Sequence, residues 1–464
     1  MFRNCLTALT IVMLGALPIQ AETRVPASQA EIALGFAPLV KEAAPAVVNI
    51  YAKIITETQA RSPFMNDPFF DDLFRGFGQQ RRPRVQNSLG SGVILSADGY
   101  VVSNYHVVGT ASEIRVVTND RREFNAQVVL ADEESDLAIL QLDEAEDLPF
   151  LTLRDSDRVE VGELALAIGN PFGVGQTVSS GIISGLARSG TATGAGRGYY
   201  IQTDAPINPG NSGGALIDVN GDLIGINTRI LSRSGGSNGI GFAIPANLVR
   251  EFVRQAQEGS EAFQRPWAGM SGQLMDADLA ESLGLGLVEG MMISDLHPKS
   301  PFGRAGFQVG DVITQVDGEP VNSPPEMVFR MTVAGLGQTA VFTRVRDGVA
   351  EDVEVAMLPA PNDPPAEALA LGERSVFPGL EIARINPAVA SGMGLPFTAD
   401  GVVVTHAGPY AARAGIQEAD ILVRVNGRDI ERPTDVEQAL REKTRWMQVE
   451  LMRRGQRVVL RFRL

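Results

Sequence analysis

The chain holds one cysteine, Cys5, three histidines and no apolar run long enough to cross a bilayer. Arg3, the apolar stretch Leu6 to Leu17 and Pro18-Ile19-Gln20-Ala21 together read as a secretory signal peptide over residues 1–21. About 12 apolar residues fall well short of the roughly 20 that a spanning helix needs, so membrane contact is expected to be transient at most. Cys5 would leave with the signal, so the mature chain is expected to have no disulfide, no thiol nucleophile and no cysteine-ligated metal, as suits an oxidising compartment. His-Glu-x-x-His and Gly-x-x-x-x-Gly-Lys-Ser/Thr are both missing, which argues against a metalloenzyme and against a nucleotide-driven machine. No metal or other cofactor is expected. A net charge of -15 argues against nucleic acid as the main partner, because phosphate binding rests on clustered Lys and Arg.

What the chain does contain is a serine with glycines on both sides, Gly210-Asn211-Ser212-Gly213-Gly214-Ala215. Glycines there let backbone N–H groups converge beside a hydroxyl, the layout of a nucleophile with its own oxyanion hole. Such a serine needs a base of matched pKa and a carboxylate that fixes the base's tautomer. His106, in Ser103-Asn104-Tyr105-His106-Val107-Val108, is the only histidine before Ser212, so it is the base of any serine hydrolase in this segment. Asp136 precedes the largely apolar run Leu137 to Leu142, where a carboxylate at the mouth of a buried strand would be shielded from water. Taken singly, the glycine-rich run is a turn and the histidine a packed side chain. Their order and spacing together point to catalysis.

At 464 residues and 44% apolar composition, the chain suggests about three globular units. Ala46 to Ile50 reads as a first strand, and residues 53–88 read as a long loop. Within that loop, Phe64, Phe69, Phe70, Phe74 and Phe77 are interleaved with Pro, Asp, Gly and Arg, a composition expected to dock rather than remain disordered. Short strands with turn signals follow from Gly92 to Leu130 and again from Leu164 to Ile226, indicating barrel or sandwich architecture. Asn247 to Gln257 is an amphipathic helix stopped by Gly259.

Ser103 to Val108, Ser135 to Leu140, Gln202-Thr203-Asp204-Ala205, Gly210 to Leu216 and Gly239 to Pro245 resemble signatures of the HtrA/Deg family of serine endoproteases, in particular its Do-like periplasmic members. The resemblance implies a mostly β protein: a chymotrypsin-like double β-barrel over residues 22–260, followed by two PDZ domains. It implies His106 as base, Asp136 as its orienting acid and Ser212 as nucleophile, with the N–H groups of Gly210 and Ser212 as the oxyanion hole. By the same resemblance Pro206 and Ile207 lie at the base of the primary pocket, and the loop Asn227 to Leu231 runs along it. Ile207 and Ile230 are then candidate walls, suited to small or medium apolar P1 residues, although either could be ordinary core. The phenylalanine-rich loop matches the place of an inhibitory loop in family members.

The rest of the chain contains a repeat. His297-Pro298-Lys299-Ser300-Pro301-Phe302-Gly303-Arg304-Ala305-Gly306 aligns with His406-Ala407-Gly408-Pro409-Tyr410-Ala411-Ala412-Arg413-Ala414-Gly415. Each copy resembles a PDZ domain, a module that adds a peptide as a strand and cradles its carboxylate, with bounds 261–358 and 375–464 and a Pro- and Ala-rich linker 359–374 between them. Register places the first cradle at Trp267, Ala268, Gly269 and Met270 and the second at Phe377, Pro378, Gly379 and Leu380. Ala268 and Gly272 stand where family members carry larger residues, and Pro378 removes one donor from the second cradle. Met327 and Met331, with counterparts Val436 and Leu440, are either groove or core. His297 and His406 share a repeat position, for which a common fold role is the simpler reading than pH sensing.

The residues predict an exported, ATP-independent serine endopeptidase, and the resemblance implies that it is periplasmic and acts on unfolded or misfolded envelope proteins and their exposed C-termini. The resemblance adds a homotrimer, with larger cages built through PDZ contacts. Two rival readings remain: a chaperone or peptide-binding scaffold with secondary cleavage, and a regulatory site-specific protease of envelope stress.

Overall fold

The computed structural model describes residues 35–56, 84–170, 175–189, 199–208, 210–230, 238–282, 284, 286, 289–441 and 445–463. Residues 1–21, expected to be a signal peptide, the phenylalanine-rich stretch Phe64 to Phe77 and Leu231 lie outside the described residues.

The short apolar runs of the first half form two closed barrels. β1 (Val47–Thr56), β2 (Arg84–Ile94), β3 (Tyr100–Ser103), β4 (Glu113–Val117), β5 (Glu123–Asp132) and β6 (Leu137–Leu142) close in the order β1-β2-β3-β6-β5-β4. β7 (Leu164–Gly169), β8 (Thr177–Ser189), β9 (Tyr199–Thr203), β10 (Ala215–Ile217), β11 (Leu223–Ile230) and β12 (Gly241–Pro245) close in the order β10-β11-β12-β9-β8-β7. Strand pairing runs further than composition suggested: Lys53 to Thr56 pair with Asn87 to Arg84, so the ends of the expected loop 53–88 belong to a hairpin. Asn227 to Ile230 likewise lie in β11, not in a loop, because that strand continues along β12 through a register shift between Asn227 and Arg229.

Each barrel has its own apolar filling. Val48, Ile50, Ile94, Val101, Val116 and Leu140 fill the first, and Ala165, Ala167, Ile183, Ile201, Leu216 and Ile224 the second. A third cluster joins them, with Val47, Val93, Val102 and Ile139 from one barrel meeting Leu166, Ile168, Ile226 and Phe242 from the other. At roughly 1.5–3 kcal/mol for each fully buried aliphatic side chain, this shared layer holds the barrels in one fixed relation. Helix Ala246–Gln257 covers the layer with Leu248, Val249, Phe252 and Ala256, and Phe252 stacks on Phe263 with centroids 3.7 Å apart. Gly259, at φ 78°, ends the helix as its sequence indicates.

The two repeats build matching sheets. The first contains β13 (Met270–Leu274), β14 (Met291–Leu296), β15 (Val312–Val316), β16 (Glu319–Pro320), β17 (Thr339–Arg346) and β18 (Val349–Ala356). The second contains β19 (Leu369–Ala370), β20 (Glu381–Arg384), β21 (Val402–His406), β22 (Ile421–Val425), β23 (Arg428–Asp429), β24 (Trp446–Arg453) and β25 (Gln456–Arg463). Their common origin shows in one constellation. Arg346 clamps Asp311 at 2.6 and 2.7 Å and donates to the Gly306 carbonyl at 2.9 Å. Arg453 clamps Asp420 at 2.7 Å through both nitrogens and donates to the Gly415 carbonyl at 2.7 Å. The second sheet has one strand more than the first, and that strand, β19, comes from the segment whose composition reads as linker.

The first repeat docks on the barrels through its groove helix, Pro324–Ala334. Ser323 caps this helix by accepting from Glu326 N, and the Glu326 carboxylate accepts from Asn322 N at 2.5 Å. Phe329 stacks on Tyr199 with centroids 4.0 Å apart, and Arg330, only 6% exposed, donates to Asp157 at 2.6 Å.

Candidate active site

The structure sets His106 against Asp136 and ties Ser212 to the same carboxylate through Thr228. A helical turn, Tyr105–Val108, lifts His106 off the end of β3. The tight turn after β5 presents Asp136, whose φ of 53° lies in the left-handed region that few residues other than glycine adopt. His106 Nδ1 lies 2.9 Å from both Asp136 carboxylate oxygens, and His106 N donates to Oδ1 at 3.0 Å. Asn104 fixes the turn by donating to the Asp136 carbonyl at 2.9 Å.

Asp136 is 2% exposed. Burial pushes its carboxyl up, but the neighbouring His106 and hydrogen bonds from His106 and Thr228 outweigh burial and hold it below the usual carboxylate range. Thr228 Oγ1 supplies the shortest of those bonds, 2.6 Å to Oδ2. The Thr228 carbonyl in turn accepts the Ser212 hydroxyl at 3.0 Å. One residue of β11 therefore touches both the acid and the serine.

The serine loop is pinned to the first barrel through Ser91. Ser91 N donates to the Ser212 carbonyl at 2.9 Å, and Ser91 Oγ donates to the Gly210 carbonyl at 2.7 Å while accepting from Asn170 N at 2.8 Å. The loop needs its glycines: Gly213 has φ 82°, and a Cβ there would stand 2.1 Å from the Ser91 carbonyl oxygen. Gly210 has φ 99°. Among the described residues, no acceptor takes the N–H of Gly210 or of Ser212.

Ile207 is fully buried and Ile230 is 8% exposed, both within the second barrel's filling, where a Cβ on Gly241 would stand 2.7 Å from Ile207 Cδ1. In the first repeat, Ala268 and Gly269 lead into β13, which Met270 opens. Gly269 has φ 60° with the Trp267 indole against it, and Ser300 Oγ donates to the Ala268 carbonyl at 2.6 Å. Gly272 is small because Met291 Sδ would lie 2.3 Å from a Cβ there. Met327 and Met331 are each 2% exposed within the first repeat's core. His297 meets Trp267 and Phe397 edge-on at 5.2 and 6.1 Å, whereas the exposed His406 pairs with Glu418 at 2.9 Å, so the matching histidines have different surroundings.

Thr228, Ser91 and Arg265 carry no motif, and sequence reasoning missed them. Arg265, in the segment joining barrels to repeats, grips the turn that presents Asp136, with bonds of 2.5 Å to Asp132 and 2.7 Å to Ser135.

Residues 90–226 match the family model described as a trypsin-like peptidase domain, and residues 269–357 and 401–451 each match a PDZ domain. The periplasmic pH-dependent serine endoprotease DegQ of Escherichia coli strain K12 is 36% identical over 460 residues, covering 98% of each chain. The periplasmic serine endoprotease DegP of the same strain is 36% identical over 400 residues, covering 85% of this chain and 80% of its own. Among solved structures, the HtrA-type protease AlgW with a tripeptide aligns at a TM-score of 0.53 and 39% identity, covering 70% of this chain and 97% of that one. Two β-barrels joined around a buried aspartate, its histidine partner and a glycine-flanked serine, followed by two PDZ repeats, thus agree with relatives across nearly the whole chain: the chain belongs to the HtrA/Deg family and is a serine endopeptidase with a chymotrypsin-like domain and two PDZ domains.

Proposed function

We propose that Ser212 is the nucleophile, His106 the general base and Asp136 its orienting carboxylate, in a periplasmic, ATP-independent endoprotease that degrades unfolded or misfolded envelope proteins. The observation that carries the reading is the buried Asp136, held ionised by His106 and Thr228, against Nδ1 of the imidazole. That contact fixes the tautomer so that Nε2 is the nitrogen that takes the Ser212 proton, and it steadies the imidazolium that forms. The Ser212 oxygen attacks the scissile carbonyl, the oxyanion draws on the N–H groups of Gly210 and Ser212, and His106 returns its proton to the leaving amine. Water, activated by the same base, then hydrolyses the acyl-enzyme.

Ser212 donates to the Thr228 carbonyl in the resting arrangement, so productive binding must turn this hydroxyl toward the imidazole. Pro206, Ile207 and Ile230 offer no carboxylate to a basic P1 side chain, and small aliphatic P1 residues are the proposed substrates. The first repeat's cradle at Ala268, Gly269 and Met270 is proposed to receive exposed C-termini, and the protein to work as a homotrimer.

Unfolded casein tests this reading when incubated with the mature protein and with Ser212→Ala, with cut sites mapped by mass spectrometry. Cleavage after Val, Ala or Ile that vanishes in the variant supports it. Equal cleavage by both would refute it, and suppression of aggregation without cleavage by either would favour the chaperone reading.

A further inference from the structure

The two PDZ repeats differ at the edge where a peptide adds as a strand. Among the described residues of the first, β13 pairs only with β14, and no acceptor takes the Gly269 N–H of the cradle. In the second, β20 has partners on both sides, β21 and the extra strand β19, with Leu369 opposite Ile382 and Ala370 opposite Glu381 in antiparallel register. The cradle's Gly379 N–H donates to the Leu371 carbonyl at 2.8 Å, and Leu371 N donates back to the Leu380 carbonyl at 2.8 Å. Leu371 is 3% exposed and shares one cluster with Phe377, Leu380 and Ile382 and with Val436 and Leu440 of the groove helix Pro433–Arg441. A PDZ domain holds its ligand in this way: antiparallel pairing along the strand after the cradle, an end carbonyl on the cradle and an apolar side chain in the pocket between strand and helix.

We propose that Leu369-Ala370-Leu371-Gly372 is an internal ligand that fills the second repeat's peptide groove, and that this groove reads extended apolar segments rather than free C-termini. Pro378 has no N–H, the Phe377 N–H donates to Ser375 Oγ at 3.2 Å and the Leu380 N–H donates to the Phe377 carbonyl at 3.2 Å, which leaves Gly379 as the one cradle donor for a ligand among the described residues. One donor satisfies a peptide carbonyl, whereas a carboxylate presents two oxygens and a full charge. The strap is tied on its far side as well, by Arg384 N to the Ala366 carbonyl at 2.6 Å and by Asn386 to Asn362 and the Pro364 carbonyl at 2.6 and 2.7 Å. A tethered ligand competes at an effective concentration of about millimolar or more, so the groove stays closed to weaker peptides until the strap is released. The occupants it then fits are leucine-rich stretches of an unfolded chain. This inference rests on the second repeat being a PDZ module and not on the assignment of the protease site.

The test uses the full chain carrying Ser212→Ala, with and without Leu369→Asp and Leu371→Asp together. The probe is a peptide copying residues 365–374, capped at both ends and bearing a photo-reactive group. The strap variant should bind it at least about tenfold more tightly than the parent, as expected when an internal competitor is removed. Adducts should map to residues 377–384 and 433–441, and a version ending in a free carboxylate at Leu371 should bind within about threefold of the capped one. The proposal is overturned if the folded variant gains no binding, if adducts fall on residues 267–274, or if the free acid binds at least tenfold better. Should the variant fail to fold by circular dichroism, hydrogen exchange on the unmodified strap decides. Amides of residues 369–371 should exchange faster than those of β21 and β22, and faster still with excess capped peptide; protection equal to those strands and indifferent to peptide would overturn it.

Discussion

Thr228 binds Asp136 and Ser212 at once: its hydroxyl donates to Asp136 Oδ2 at 2.6 Å, and its carbonyl accepts the Ser212 hydroxyl at 3.0 Å. Replacing it with valine keeps the shape and deletes the bond to the acid. A hydrogen bond to a buried charge is worth about 1.5–3 kcal/mol, so Thr228→Val is expected to lower kcat roughly ten- to a hundredfold with KM little changed. Thr228→Ser should restore most of the rate. A peptide-substrate assay separating kcat from KM checks both; an unaltered kcat in the valine variant would remove Thr228 from the catalytic account.

Ser91 carries the serine loop from the other barrel. Ser91→Ala leaves the Gly210 carbonyl without its donor and Asn170 N without its acceptor, at a cost of about 1–3 kcal/mol for each buried group left unpaired. The denaturation midpoint should fall and kcat with it, because the loop that presents the Gly210 N–H is loosened. Gly213→Ala is the harsher case, since its Cβ meets the Ser91 carbonyl and its φ suits glycine alone.

Asp136 also sets a pH dependence of stability. Its folded carboxyl is held below its unfolded value, so its contribution is complete above about pH 4 and is lost as pH falls through the folded value. Thermal unfolding of Ser212→Ala between pH 3 and 6 should show a midpoint that drops on the acid side, and adding Asp136→Asn should flatten that part of the curve. An unchanged slope would place the acid sensitivity elsewhere. Activity of Asp136→Asn is expected to fall by about four orders of magnitude, as loss of the orienting carboxylate does in such triads.

Arg330 joins the first repeat to the barrels. Breaking a buried ion pair by removing one partner costs about 3–5 kcal/mol, so Arg330→Ala should undock the groove helix without unfolding either unit. Limited proteolysis is expected to open the connection near residues 258–266 and hydrogen exchange to rise in Pro324–Ala334. Wild-type protection in the variant would show that the Tyr199–Phe329 stack holds the interface unaided.

A barrel or sandwich, the repeats and the candidate His, Asp and Ser were legible in the chain because each is carried by a local pattern: short strands with turn signals, a recurring ten-residue segment, a glycine-flanked serine, a carboxylate at the head of an apolar run. The pairing of two barrels came only with the family resemblance. Thr228 and Ser91 were not legible, because their partners lie 92 and 119 residues away and a buried hydroxyl has no local signature. Ile230 sits in a strand because pairing with β12 continues past a register shift that composition does not reveal. β19 was hidden by its setting: two strand residues behind a proline-rich stretch read as linker, and only pairing with β20 makes them part of a sheet.

The central claim, that Ser212 is the nucleophile driven by His106, is tested most directly by reaction with diisopropyl fluorophosphate followed by intact-mass and peptide mapping. The account predicts one phosphoryl adduct per chain, on Ser212, that is lost in Ser212→Ala and strongly slowed in His106→Ala, in parallel with casein cleavage. An adduct on another serine, or casein cleaved by Ser212→Ala at the parent's rate, would contradict it.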